Sequence, residues 1–200
     1  MGIRMRSGER RQSIVAAAIH LFAEKGFRGT TTRELAAALG VSEPVLYQHF
    51  STKRDLYTAI IEAKAAEGRE LSAGLRKQLA GSDDRAFFGQ LAGLILRRAE
   101  EDPEFLRLLM FSALERHELA RRFYAGHIVR FHDLVAGYIR RRIKEGAFRR
   151  VNPNLAARSF IGMVNVYATS HVMFGEPSRA GNKKLIRDLV DLFLLGTSRG

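Results

Sequence analysis

An all-α fold is what this 200-residue sequence predicts, and three features predict it. Apolar residues recur at three- and four-residue spacing along most of the chain. No run of strict alternation lasts long enough to make a strand. Helical stretches end at recognisable stops, among them Gly26, Gly40, Gly81, Pro103 and Gly146. A chain of this length can bury one large core or two modest ones, and no internal repeat divides it.

In chain order, residues 1–8 lack an apolar period and read as a mobile basic arm. Ile14, Ala18, Leu21 and Phe22 then mark a first helix from about Glu9 to Lys25, stopped by Gly26. The stretch Thr31 to Phe50, TTRELAAALGVSEPVLYQHF, carries the densest set of local signals. Thr31 and Glu34 have capping-box spacing, and Leu35, Ala36 and Leu39 form one apolar stripe. Gly40 is a left-handed helix stop. Ser42 is an N-cap, and Pro44 suits a first turn, where its missing N–H is not needed. Two short helices joined at a Gly-containing corner read as helix-turn-helix. With the first helix they make a three-helix domain.

The second of the pair shows its facing. At about 100° per residue, Leu46 and Phe50 share the inward side. Pro44, Val45 and Gln48 point away from it, with Tyr47 and His49 on the flanks. Such a mixed polar and apolar face suits a helix lying in the DNA major groove. The turn alone also fits a surface helix pair in an ordinary bundle, and the flanks decide between them.

With those flanks the stretch resembles the DNA-binding domain of TetR-family transcriptional repressors. Phe22, Gly26 and Phe27 match, followed by Thr31 through Ala36, Gly40-Val41-Ser42, Leu46 through Phe50, and Lys53 through Leu56. The match spans about residues 8–60, and the remainder is similar only in architecture. The resemblance implies a helix-turn-helix DNA-binding domain at residues 1–55 and a larger helical ligand-binding and dimerisation domain at 56–200. It implies a homodimer that binds a pseudo-palindromic double-stranded DNA operator and is released by a small-molecule effector. By matching position, Thr31, Thr32, Ser42, Tyr47, His49 and Lys53 are DNA-backbone contacts. Arg33, Pro44, Val45 and Gln48 face the bases, and the Gln48 amide can pair with adenine. Glu43 departs from this set, since an acid at the head of that helix caps well but repels phosphate.

After Phe50, Ser51 or Thr52 caps a long fourth helix through Leu56, Ile60 and Ile61 towards Leu75 and Leu79. The resemblance makes it the mechanical link between the two halves. Gly81-Ser82-Asp83-Asp84 is a break. A fifth helix carries Phe87, Phe88, Leu91, Leu94 and Ile95, and a sixth runs from Glu104 to about Leu114. A single long helix is expected from Leu119 to Lys144, with Phe123, His127, Phe131, Leu134 and Tyr138 on one side. Asn152 or Asn154 opens the next, Leu155 to Phe174, which is apolar nearly all round. In the last, Leu185, Ile186, Leu189, Val190, Phe193 and Leu194 form a wide stripe, with Leu192 and Leu195 on another side. Two apolar faces need two partners. In the family it resembles, the last two helices form the dimer interface.

The formal charge of +12 favours a polyanionic partner. Only part of it lies near the helix-turn-helix: nine Lys and Arg against five acids through Asp55 leave +4 there and +8 beyond. The absence of cysteine excludes a disulfide scaffold and thiolate metal sites. No apolar run approaches a membrane span, and no cleavage site follows the basic N-terminus. A cytoplasmic protein without membrane attachment is expected. His127 and His132 are five apart and diverge on a helix, and HExxH, GxSxG and phosphate-loop motifs are missing. No enzyme, metal site or cofactor is expected.

The aromatic and Met content of the second half fills a core or lines a cavity, and the resemblance favours a cavity. Its candidate lining is Phe88, Phe111, Phe123, His127, Phe131, Met163, Tyr167 and His171. The effector expected there is apolar, aromatic or acyl. A ligand-binding or scaffold protein that has lost DNA binding is the rival reading, and intact Tyr47, His49 and Lys53 argue against it.

Overall fold

The computed structural model describes residues 7–78 and 83–197. Most of the expected basic arm and the Gly81-Ser82 part of the expected break lie outside them. The described residues form α1 (Ser7–Gly29), α2 (Thr32–Ala38), α3 (Glu43–His49), α4 (Lys53–Gln78), α5 (Asp84–Glu101) and α6 (Pro103–Leu114). They continue as α7 (Glu118–Phe123), a π turn (Tyr124–Ile128), α8 (Val129–Lys144), α9 (Pro153–Phe174) and α10 (Lys183–Thr197). Among these residues the structure is helical throughout, apart from turns and an isolated bridge at Phe148.

The local signals act as their chemistry requires. The Glu34 amide donates to Thr31 Oγ1 at 3.2 Å, and the Thr31 amide donates to the Glu34 carboxylate at 2.8 Å. That closes the capping box. At the far end of α2, Gly40 has φ 61°. The Val41 amide reaches Ala36 O and the Gly40 amide reaches Ala37 O, the paired bonds of a Schellman stop. Ser42 is the N-cap of α3 by position, without a side-chain cap bond. Asp83 caps α5 through the Ala86 amide, and Asn152 caps α9 through the amides of Asn154 and Leu155.

One expected helix is interrupted. The stretch from Leu119 to Lys144 is α7, a π turn and α8 rather than one α-helix. A π turn accommodates an extra residue, which rotates the following face by about 100°. Phe123 therefore does not continue the face of α8, which buries Val135, Ala136, Tyr138 and Ile139.

Packing groups the helices into two compact units. The first holds residues up to Gly68 together with Glu104–Phe123. The sequence places a boundary at residue 55; the packing keeps the first part of α4, and α6 with α7, alongside the helix-turn-helix. The reason is an aromatic cluster. Phe22 meets Tyr57 edge-on at 4.8 Å, Phe27 meets Tyr57 at 5.1 Å, and His117 packs on both Phe27 (4.5 Å) and Tyr57 (5.1 Å). Tyr57 is fully buried, and burial pushes its hydroxyl up to about 12.

The second unit, Arg69–Pro103 with the chain from Tyr124 onward, is built around Phe88. Its ring touches Phe160 and Phe193, each at 4.7 Å, and Phe87 at 5.0 Å. The start of α5 is tied to α8 by Asp84, whose Oδ1 accepts from the Tyr138 hydroxyl at 2.6 Å and from Arg142 Nε at 2.8 Å. Burial and Asp84 hold the Tyr138 hydroxyl above its usual range.

The histidines give this fold a pH slope. Burial first, and the nearby Arg54 guanidinium second, hold His117 below its ordinary value; Glu115 and Glu118 oppose this in part. Such a group takes up its proton more readily when unfolded. Its contribution is complete above about pH 6.5 and is lost as pH falls through the folded value. His20, raised by Glu104, acts in the opposite sense, with stability present below the unfolded value and lost as pH rises through the folded one. His117→Phe keeps a ring on Phe27 and Tyr57 but cannot titrate. Its Tm should fall less than the wild-type Tm between about pH 7.5 and about pH 5.5; equal slopes would assign the pH sensitivity to other groups.

Candidate nucleic-acid interface

The surface begins with what α3 buries. Leu46 and Phe50 are inside, and Arg11 from α1 lies over the Phe50 ring at 4.7 Å. That anchoring leaves Pro44, Tyr47 and Gln48 exposed, with Val45 and His49 half-buried. The outward azimuth expected for Gln48 is the one observed. Ser42 is also exposed.

The α2 side of the surface is already hydrogen-bonded. Thr31 is engaged in its capping box, and Arg33 is exposed beside it. The Lys25 ammonium and then the Thr31 bonds hold the Glu34 carboxyl down to about 2. Glu43, the departure noted in the sequence, accepts from the Thr32 hydroxyl at 3.0 Å. That bond ties the first turn of α3 to the first turn of α2, with the Thr32 hydroxyl already committed.

Lys53 is engaged as well. Its ammonium donates to Phe27 O and Thr30 O, both at 2.7 Å, and lies 4.3 Å from the centre of the Phe27 ring. Burial lowers its pKa. The ammonium expected at a phosphate thus has a structural role in the fold, tying the start of α4 to the end of α1. Sequence spacing carried no signal for this, because the carbonyls lie more than twenty positions away. The same holds for Glu115, whose carboxylate accepts from the amides of Phe27 and Arg28.

The eight candidate pocket residues are shared between the two units. Phe111 and Phe123 belong to the first unit, where Phe123 packs on Phe105 at 5.3 Å. Phe88 is wholly buried among the rings of the second unit. His171 Nδ1 lies 2.6 Å from Glu176 O, bracing the turn after α9. His127 in the π turn, Phe131 on α8, and Met163 and Tyr167 on α9 are half-buried, and α8 packs on α9. Burial, then Arg69 and Arg130, lower the His127 pKa.

Known proteins match both halves of the chain. Residues 14–60 match the family described as bacterial regulatory proteins, tetR family. Residues 90–196 match the AefR-like transcriptional repressor C-terminal domain. The nucleoid occlusion factor SlmA of Marinobacter nauticus is 31% identical over 165 residues, 82% of each chain. The class A tetracycline repressor from transposon 1721 of Escherichia coli is 49% identical over 55 residues, which are 28% of this chain and 26% of that protein. The crystal structure of a Mesorhizobium loti protein described as a TetR-family regulator shares the fold, with a TM-score of 0.76 at 23% identity over 98% of this chain and 100% of that one.

Lys53→Ala leaves two carbonyls without their cation, at a cost of about 1–3 kcal/mol. Thermal unfolding should move down by several degrees before any DNA is added. A variant with wild-type Tm would show that the two carbonyl bonds carry no stability.

Proposed function

Because the chain belongs to the TetR family of transcriptional regulators, whose members bind DNA rather than catalyse reactions, we propose that it is a homodimeric repressor. It binds a pseudo-palindromic operator and leaves it when a small-molecule effector is bound. The observation that carries this reading is the outward face of α3, where Pro44, Tyr47 and Gln48 are exposed over buried Leu46 and Phe50. Gln48, with Arg33, Pro44 and Val45, reads bases. Tyr47, His49, Thr31, Thr32, Ser42 and Lys53 meet the backbone. Two copies place their α3 helices about 34–36 Å apart or slightly more, one half-site each.

Dimerisation falls to α9 and α10. The wide stripe of α10 turns inward: Leu189 and Phe193 are buried, the latter against Phe88 and Phe160. The other side stays uncovered, with Leu192 at 66% and Leu195 at 81% exposure, joined on α9 by Leu155 at 66% and Phe174 at 80%. A second copy covering these side chains removes that apolar surface from water. The effector site is read among His127, Phe131, Met163 and Tyr167, for an apolar or acyl molecule. A coupling of about 1–3 kcal/mol between effector and operator suffices for release.

A second reading rests on the SlmA match, which runs over most of both chains. In it the protein acts in nucleoid occlusion, the role that relative's name states, which calls for DNA sites spread over the chromosome rather than at one promoter. A chromosome-wide binding map separates the two: a few promoter sites support the repressor, and sites scattered over the chromosome support the rival.

Selection from a randomised duplex pool should enrich a palindrome, and ligands that bind the protein should weaken its hold on that duplex. Gln48→Ala should relax one base position in each half-site, worth about 1–3 kcal/mol of discrimination. A pool without enrichment at any salt would defeat the reading. Leu192→Glu places a charge on the uncovered face while leaving the core intact, so sedimentation should find a folded monomer. An intact dimer would place the interface elsewhere.

A further inference from the structure

The five residues between the last regular turn of α1 and the helix-turn-helix are held almost wholly by distant side chains. Gly26 leaves the helical region at φ 70° and ψ 178°. Just beyond it, Glu115 accepts from the amides of both Phe27 and Arg28. Its Oε2 accepts from Phe27 at 3.1 Å and its Oε1 from Arg28 at 3.0 Å. From the opposite side, Lys53 donates to the carbonyls of Phe27 and Thr30. The Thr30 hydroxyl closes the last gap by donating to Gly26 O at 2.8 Å. Thr31 follows immediately and opens α2.

Two further observations tie this to the end of α6. A Cβ on Gly26 would sit 2.8 Å from Glu115 Oε1 and 3.3 Å from Phe111 Cδ1, so both side chains lie directly over a turn whose φ and ψ favour glycine. Arg116, next to Glu115, adopts φ 53°, the one positive φ of a non-glycine among the described residues. The His117 amide bonds Ser112 O and the Arg116 amide bonds Ala113 O. This is a Schellman stop made without glycine, a conformation that persists only where its surroundings hold it. Here the surroundings are the Glu115 bonds on one side and the His117 ring against Phe27 and Tyr57 on the other.

We propose that Glu115 is a positioning residue for DNA binding: by clasping the amides of Phe27 and Arg28, it sets the direction in which the chain enters α2 and α3. It touches no DNA. It acts through a turn whose carbonyls Lys53 holds from the other side, so α6 and α4 together orient the reading surface. The proposal rests on the DNA-binding reading above, and the test keeps the two apart.

The full-length protein, Glu115→Gln and Ile60→Val are compared. Glu115→Gln keeps the size but offers one carbonyl acceptor for two amides. Ile60→Val removes a core methyl in the same unit without touching the turn. In the free proteins, hydrogen exchange at Phe27 and Arg28 should accelerate roughly tenfold in Glu115→Gln alone. On the duplex selected by the wild type, Glu115→Gln should bind at least about fivefold more weakly. Its salt slope should be unchanged, since no phosphate contact is removed, and Ile60→Val should bind as the wild type does. Wild-type affinity in Glu115→Gln, an equal loss in Ile60→Val, or unaltered exchange at both amides would overturn the proposal. Should the wild type select no duplex, the repressor reading fails by itself. Faster exchange in Glu115→Gln would then still support the clasp, and equal exchange would overturn it.

Discussion

Where the chain leaves the regular turns of α1 at Gly26, side chains from distant parts of the sequence take up its backbone groups. A buried amide or carbonyl left alone costs about 1–3 kcal/mol, comparable to a large share of a small domain's net stability. At residues 26–30 the partners are Glu115, Lys53 and Thr30, drawn from three separate stretches of the chain. The aromatic cluster of Phe22, Phe27, Tyr57 and His117 is packed around the same place. The turn before α2 therefore depends on residues far from it in sequence, and the first compact unit is assembled from two separate segments of chain.

The second unit follows a different economy. Its aromatic side chains meet each other: Phe88, Phe160 and Phe193 form a closed group, and Tyr138 stacks on Phe87 while its hydroxyl is held by Asp84. The apolar residues left uncovered are concentrated on α9 and α10. On α10 the buried and uncovered leucines and phenylalanine lie on neighbouring faces of one short helix: Leu189 and Phe193 are inside, and Leu192 and Leu195 are exposed.

Much of the helix-turn-helix was legible because its determinants are local. The capping box at Thr31 and Glu34, the left-handed Gly40 and the inward pair Leu46 and Phe50 act within a few residues of themselves, so spacing alone reveals them. Gly26 was legible as a stop. The side chains lying over it were not, because they belong to Glu115 and Phe111. Lys53 shows the same limit, since a motif position marks it as a cation near DNA while its partners are carbonyls across a fold. The interruption at Tyr124–Ile128 was hidden because a π turn preserves a helical apolar pattern on either side and shifts only the face. Helical spacing cannot distinguish a ring that lines a space from one, such as Phe88, that fills it.

The central claim is that α2 and α3 form the DNA-reading surface of a dimer. Hydrogen exchange of the full-length protein, with and without an enriched duplex, tests it most directly. Protection should rise on DNA binding across Thr31–Lys53, in both copies of a complex holding two chains per duplex. Protection concentrated instead at the arginine-rich end of α8, or a complex of one chain per duplex, would contradict the account.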